Sequence, residues 1–366
     1  MKVGIITIYR KNYGAFLQAY ALQQTLLKIG CESEIIRYDY YRDHTCFGVA
    51  MASNPSFKIL LKVAIVEIVR FIPHRRRLKV FDKSVAVNIR ESKEYYREYA
   101  ELEKNPPKYD VYLTGSDQVF NPRLSPQAFP ARTLQFVKEG LKVSYAASAG
   151  ADRIPDEYSA QFREAISTFN KVSVREEGLK NFFETHYAKE TERHIDPVFL
   201  LDKQEWTTFS KPVAELPKEY IFYYRVLPQK ELNRIAQKVS EETGLPIFVA
   251  DGHDSFKNQI KRKGFLSPEQ WVYAINHATY VITNSFHGAS FSINLEKRTS
   301  ILVPSKGGER VTDLLKKCEM DFMIDNPLYM LENLPFDYTS ANRYIKEERK
   351  RGVNYLNETC LYCNGK

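Results

Sequence analysis

His287 stands where the chain passes from an apolar strand end through a polar turn into a helix start rich in small residues. The segment reads Val281-Ile-Thr-Asn-Ser-Phe-His-Gly-Ala-Ser-Phe-Ser-Ile-Asn-Leu295. Val281 and Ile282 end a buried strand, Asn284 or Ser285 caps the helix that follows, and Gly288 lets a ligand approach the backbone closely. Junctions of this kind are where open α/β sheets bind anions. An imidazole placed there can move a proton or, once protonated, stabilise a departing anion. The plainer alternative is a turn holding a histidine whose bonds are already satisfied.

The elements that must position His287 follow from the alternation of apolar strands with helical patterns. Strands are expected near 3–8, 33–38, 110–114, 142–146, 172–174 and 195–198. Tyr220-Ile-Phe-Tyr-Tyr224 then opens a second series: helix 229–243, strand 246–249, helix 268–277, strand 279–283, helix 288–296, strand 299–302 and helix 309–317. Ser267 followed by Pro268 marks a helix start. Short alternation of this sort implies parallel sheets covered by helices. The domains read as 1–205, 206–339 and a C-terminal helix and tail, 340–366. In that last helix the run Lys346-Glu-Glu-Arg-Lys-Arg351 reads as a solvated face.

At 366 residues with 43% hydrophobic content, the chain has material for two cores and is not a disordered polymer. A net charge of +8 with 13% aromatics suits anionic substrates or an anionic membrane surface. Nucleic acid is not expected, because the basic residues are dispersed except at His74-Arg-Arg-Arg77. The seven histidines show no metal-ligand spacing, and neither GxGxxG nor GxxxxGK[ST] occurs. No metal and no cofactor is therefore expected. The five cysteines do not suggest a disulfide framework, and Cys360 with Cys363 makes a lone CxxC in a tail without catalytic role. A buried strand at the N-terminus, in place of a signal peptide, points to the cytoplasm.

Several segments in register resemble the polysaccharide pyruvyl transferase family. They are Val3 to Ile8 with Asn12-Tyr-Gly-Ala-Phe-Leu-Gln-Ala-Tyr-Ala-Leu22, Tyr109 to Phe120, Val143 to Gly150, Val172-Ser-Val-Arg-Glu-Glu177, Asp196-Pro-Val198 with Trp206, and the Gly264 to Leu295 stretch. The resemblance covers roughly 3–320. It implies two Rossmann-like domains with parallel sheets facing a cleft, a glycosyltransferase-B-like architecture. It also implies transfer of the pyruvyl group of phosphoenolpyruvate to a sugar, as a cyclic ketal, on a lipid-linked or nascent cell-surface polysaccharide such as a capsule or exopolysaccharide. Phosphoenolpyruvate is then a co-substrate and the acceptor glycan a partner. Other readings are a nucleotide-sugar-dependent glycosyltransferase of the same architecture, or a non-catalytic glycan-binding component of capsule assembly.

Phosphoenolpyruvate carries a carboxylate and a phosphate, so its site needs arginine, lysine or backbone amides, together with an acid and a base. Arg175 and His287 carry over from matching family positions as the grip on phosphoenolpyruvate and the catalytic histidine. A surface ion pair with Glu176 or Glu177 is the competing account of Arg175. Some members have an arginine where Ser285 stands here, and Arg310 or Lys306, beside the flexible Gly307-Gly308, can supply the missing contact. Asp117, with Ser116 in Gly115-Ser-Asp-Gln118 beyond a strand end, is a base toward a sugar hydroxyl or else a helix cap. Asn12, Tyr13 and Gly14 form the first strand-helix turn, with Asn12 and Gln18 offered to sugar hydroxyls. Tyr224 and Arg225 are expected to face the cleft as secondary contacts.

Residues 57–80 carry a broad apolar side interrupted by Lys58, Lys62, Glu67 and Arg70 and ending in the basic cluster. The stretch is too charged to span a bilayer. It is either an interfacial element that holds the protein to the inner face of the cell membrane or an ordinary helix packed on the first domain. The acceptor sugar, its hydroxyl pair and the oligomeric state are not legible in the sequence.

Overall fold

The computed structural model describes residues 1–10, 12–38, 75–251, 254–262, 264–305, 307–332 and 336–361. Most of the 57–80 segment, Lys306 and Cys363 lie outside the described residues.

The first sheet contains β1 (Lys2–Ile6), β2 (Glu32–Tyr38), β3 (Glu91–Tyr96), β4 (Val111–Thr114) and β5 (Leu141–Ser144), ordered β3-β2-β1-β4-β5 and parallel throughout. A parallel pair, β6 (Ser173–Val174) and β7 (Glu192–Arg193), continues beyond β5 through single bridges at Val143–Lys171 and Ala147–Val174. The second sheet is also parallel. It consists of β8 (Ile221–Tyr224), β9 (Ile247–Val249), β10 (Tyr280–Thr283) and β11 (Thr299–Ile301), ordered β11-β10-β8-β9. Central strands such as β4 and β8 are buried at every position, as parallel strands covered on both faces must be.

Strand order reverses between β1 and β4 in the first sheet and between β8 and β10 in the second. At such a switch the connections leave in opposite directions and open a crevice beyond the carboxyl ends of the strands. The two crevices face each other. A Cβ built on Gly14, at the start of helix Tyr13–Lys28 after β1, would lie 2.2 Å from Nδ1 of His287, which follows β10.

Several elements depart from expectation. β3 was not anticipated, because Glu91-Ser-Lys-Glu-Tyr-Tyr96 is a polar edge strand with its middle residues exposed. The strand expected at 195–198 is instead β7 followed by a 3-10 turn, Pro197–Phe199, where proline offers no N–H to a ladder. Helix 288–296 begins earlier and ends earlier, as Phe286–Asn294.

The last helix, Thr339–Leu361, does not trail away as a separate tail. It returns to the first domain, where Tyr355 donates to the Ser144 carbonyl at 2.9 Å and Arg349 donates to the Phe199 carbonyl at 2.6 Å. The run 346–351 is therefore not a solvated face throughout. Glu348 is buried between Arg193 at 2.6 Å and Arg351 at 2.5 Å. Cys360 is likewise buried and disulfide-paired with Cys31, 329 residues away, which corrects the reading of Cys360 as part of a loose tail.

Among the described residues no helix is long and apolar enough to cross a membrane. Of the basic cluster, Arg75 and Arg76 are exposed, whereas Arg77 turns inward to pair with Asp251 at 2.8 Å.

Candidate active site

Arg175 follows β6 and Asp196 follows β7, so both side chains leave the carboxyl ends of adjacent parallel strands. Nη1 of Arg175 lies 2.5 Å from Oδ2 of Asp196, and its Nε lies 3.3 Å from Oε1 of Glu176. Oε1 of Glu176 also accepts from Ser148 at 2.5 Å, and Oδ1 of Asp196 accepts the Val198 N–H at 3.1 Å. Arg175 is thus a buried group, 6% exposed, set between two buried carboxylates and not in a surface pair. Burial opposes its charge, but Glu176 and Asp196 outweigh that effect and hold the guanidinium above its ordinary pKa. The ring of Phe286 lies 4.5 Å from the guanidinium carbon.

His287 occupies the first turn of helix Phe286–Asn294. Ser285 is the N-cap, accepting from the Gly288 N–H at 3.3 Å. Asn284 instead ties down the loop after β8, accepting from the Val226 N–H and donating to the Leu227 carbonyl and Gln229. Nε2 of His287 points toward Oδ2 of Asp196 across 3.7 Å, too long for a hydrogen bond. Burial lowers the pKa of His287; Asp196 and Asp117 oppose that effect, and Arg175 and Arg310 add to it. Arg310, in helix Glu309–Lys317, approaches the same Phe286 ring at 5.7 Å. Its pKa is lowered by burial and by Arg175, and no described carboxylate lies within ion-pair distance of it.

A buried polar atom without a partner costs free energy, so such atoms mark places built for something else to occupy. Nine buried side-chain nitrogens and oxygens have no hydrogen-bond partner among the described residues. Four of them, Nη2 of Arg175, Oε2 of Glu176, Nε2 of His287 and Nε of Arg310, belong to this one cluster. Beside it opens a cavity of about 140 Å³ lined by Arg175, Glu176, Asp196, Phe286, Arg310 and Tyr344 among others. The surroundings are mixed in charge. Asp152, Glu309 and Asp313 also face the cavity, so a ligand would meet directed donors and not a uniformly positive bowl.

The remaining expected residues divide between those beside this cluster and those held elsewhere. Asn12 caps helix Tyr13–Lys28 through the Ala15 N–H at 2.9 Å, and Gly14 abuts His287. Asp117 has φ 57 in the loop after β4. It caps no helix, and its charge is felt by Arg175, His287 and Arg310. Ser116 donates to the Ala146 carbonyl at 2.6 Å, and its own N–H is held by Oε1 of Gln18 at 3.1 Å.

Gln18 is fully buried, with its NH2 group shared among Thr7, Ile8 and Ala15. It braces the loop carrying Asp117 and has no amide left for a sugar. Tyr13 faces the core: its hydroxyl donates to the Leu266 carbonyl at 3.1 Å and its ring stacks on Trp271. Tyr224 is likewise buried, and Arg225 is taken by Asp254. Gly288 is small for a packing reason, since a Cβ there would meet Oγ1 of Thr283 at 2.3 Å. Among the described residues no group of three or more His, Cys, Asp or Glu is arranged to hold a metal ion.

Asp196, Glu176 and Phe286 were not singled out as site residues. Asp196 lay inside a matched segment, Asp196-Pro-Val198, that was read as a strand, with no role given to its carboxylate. For Phe286 no sequence signal separates a cleft aromatic from a core one.

The fold is similar to that of UDP-GlcNAc 2-epimerase from Neisseria meningitidis bound to UDP-GlcNAc, with a TM-score of 0.51 at 13% identity, covering 99% of this chain and 100% of that chain. It is similar also to UDP-GlcNAc 2-epimerase from Methanocaldococcus jannaschii, with a TM-score of 0.53 at 10% identity, covering 98% and 100%. At such identities the likeness establishes the glycosyltransferase-B-like fold and nothing of the substrate. No curated protein matches the sequence. The family model for polysaccharide pyruvyl transferase matches residues 12–305, a span that holds Gly14, Asp117, Arg175, Asp196 and His287. The chain belongs to the polysaccharide pyruvyl transferase family.

Proposed function

We propose that this protein transfers the pyruvyl group of phosphoenolpyruvate to two hydroxyls of a sugar on a lipid-linked or nascent cell-surface polysaccharide, forming a cyclic ketal and releasing phosphate. The observation that carries this reading is the group of four unpartnered buried atoms around Phe286, three of them nitrogens able to donate to an anion. Phosphoenolpyruvate presents two anionic groups on one enol carbon, which suits two guanidinium groups on one ring.

In this reading Arg310 and Nη2 of Arg175 hold the phosphate and carboxylate. A proton is added to the enol methylene, leaving a cationic carbon. One sugar hydroxyl adds to that carbon and gives up its proton, the C–O bond to phosphate breaks with its electron pair going to phosphate, and the second hydroxyl adds with loss of its proton. Of the two protons released, one replaces that taken up at the methyl group and the other leaves with phosphate. Burial favours the neutral form of His287 in the free protein, and the arriving phosphate dianion favours its protonated form. His287 then serves as the proton donor or as the cation beside the departing phosphate. Asp117, across the same crevice, serves as base toward a hydroxyl.

The test is incubation of purified protein with phosphoenolpyruvate and a lipid-linked oligosaccharide, measuring phosphate release and the new ketal methyl signal by NMR. Absence of both, with nucleoside diphosphate released from a nucleotide sugar instead, would replace this reading with glycosyl transfer.

A further inference from the structure

Outside the cluster around Phe286, five buried side-chain atoms lack partners among the described residues, and three of them surround Tyr13: Nε of Arg77, Nη1 of Arg262 and Nε1 of Trp271. Arg77 belongs to helical residues 75–88 of the first domain. Its guanidinium lies 5.7 Å from the centroids of both Tyr13 and Phe81 and pairs with Asp251 at 2.8 Å. Asp251 follows β9, so this ion pair crosses between the two domains. Arg262 gives one nitrogen to the Ala250 carbonyl at 3.3 Å and stands 5.6 Å from the Phe248 ring. Two guanidinium groups therefore meet one close carboxylate, Asp251. Among the described residues the one further carboxylate felt by Arg262 is Glu215, which is exposed and screened by solvent.

The place of this cluster relates it to the reaction. Tyr13 and Gly14 are consecutive, about 3.8 Å apart at Cα. Gly14 touches His287, while Tyr13 carries Arg77 over its ring. The helix start after β1 thus has the phosphate-directed cluster on one side and a second cation cluster on the other. Phosphoenolpyruvate accounts for the first. Phosphoenolpyruvate is too small to occupy both clusters, which leaves the second to the larger substrate, the acceptor.

We propose that Arg77 and Arg262 form an acceptor subsite that binds an acidic group, phosphate or carboxylate, carried by the acceptor glycan. The inference rests on the pyruvyl-transfer reading. Both Nη atoms of Arg77 are held by Asp251, at 3.3 and 2.8 Å, so the subsite would offer Nε of Arg77 and Nη1 of Arg262, one charge-assisted donor from each side chain, to the oxygens of one phosphate or carboxylate. In the ligand-free protein Asp251 keeps Arg77 in place while leaving Nε unused.

The test is calorimetric titration at saturating phosphoenolpyruvate with two probes, inorganic pyrophosphate and methyl glucuronoside, on the parent and on Arg262→Gln, Arg77→Gln and Arg262→Lys. The parent is expected to bind at least one probe, and each Gln variant to bind it about tenfold or more weakly, as loss of a charge-assisted bond implies. Arg262→Lys should retain part of the affinity. Preference for pyrophosphate identifies a carrier diphosphate, and preference for the glucuronoside identifies an acidic sugar. Phosphoenolpyruvate affinity should match the parent in all three variants. Arg262→Gln breaks no ion pair, so it decides the matter even if Arg77→Gln, which strands Asp251, loses stability. Parent-level probe binding by Arg262→Gln, or no binding of either probe by the parent, overturns the proposal. Failure of the parent to bind phosphoenolpyruvate would count against the pyruvyl reading instead, and the same titration without it would still read the subsite.

Discussion

Nε2 of His287 and Oδ2 of Asp196 stand 3.7 Å apart, and that same oxygen is held at 2.5 Å by Arg175. The carboxylate thus faces a committed cation, Arg175, and an imidazole whose charge depends on protonation. Its charge raises the basicity of His287 against the effect of burial. Asp196→Asn removes that charge, so His287 should lose its proton at lower pH. If protonated His287 is the working form, the alkaline limb of the pH–rate profile moves to lower pH in Asp196→Asn. An unshifted limb would show that Asp196 serves only Arg175.

His287→Ala should lower turnover by about 100-fold to 10,000-fold, the usual range for a general acid or base. His287→Gln keeps a donor of similar reach. Near-complete loss in His287→Gln with intact phosphoenolpyruvate binding would assign proton transfer, and substantial retained turnover would assign positioning. Parent-like turnover in His287→Ala would remove this cluster as the active site.

The two arginines should separate in calorimetry and melting experiments. Arg310 has no carboxylate within ion-pair distance among the described residues, so Arg310→Ala should weaken phosphoenolpyruvate binding by about 1.5–3 kcal/mol, a factor of about 10 to 150, without lowering the melting temperature. Arg175→Ala strands Asp196 and Glu176 in the interior and should cost about 3–5 kcal/mol of stability as well as binding. Equal melting of both variants would contradict the buried pairing.

Gly14→Ala tests whether the first helix sets the imidazole. The added methyl would sit 2.2 Å from Nδ1 of His287, so the ring must move. Misplacement of a reacting group by about an ångström costs on the order of 100-fold in rate. Turnover should fall accordingly while phosphoenolpyruvate affinity and melting stay near the parent. A fully active Gly14→Ala would show that the ring has room to move.

His194 is the counterpart of His287, a histidine in the core. It bonds to Ser173 at 2.9 Å and packs against Tyr145 and Tyr355. Burial, with Arg351, Arg193 and Lys171, depresses its pKa from 6.5 to about 3. The unfolded chain takes up this proton below pH 6.5 and the folded one does not, so stability is lost as pH falls from 6.5 toward 3. In His194→Gln the decline of melting temperature with acid should be shallower; an identical decline would mean that His194 already protonates in the folded state.

The second sheet was nearly fully legible because its strands are apolar and its helices carry strong signals: Ser267-Pro268 opens a capping box and Gly244 closes helix Lys230–Thr243 in the left-handed conformation. β3 was not, since an edge strand whose Lys93, Glu94 and Tyr95 are exposed lacks the apolar run that marks its neighbours. In the site, His287 and Arg175 were named through the family resemblance and Arg310 as a substitute for the arginine absent at Ser285, and the structure brings the three together around Phe286. Asp196 and Glu176 became visible only through contact across β6 and β7, because a carboxylate's role depends on which cation it meets. Tyr13 and Tyr224 illustrate the opposite error. A residue at a strand end next to a cleft can point its ring into the core, and type and position alone do not say which.

The last helix has a mechanical consequence. The backbone passes from the first domain to the second near Lys211, whose N–H bonds to the Glu269 carbonyl. It passes back near Tyr338, whose hydroxyl bonds to the Lys297 carbonyl, before Tyr355 docks on Ser144. Two covalent crossings act as two hinge pins: the easiest relative motion of the lobes is a swing about the line joining them, and twisting is resisted. Tyr344, six residues beyond Tyr338, lines the cavity beside Arg310. A ligand filling that cavity therefore sits beside the second of the two crossings.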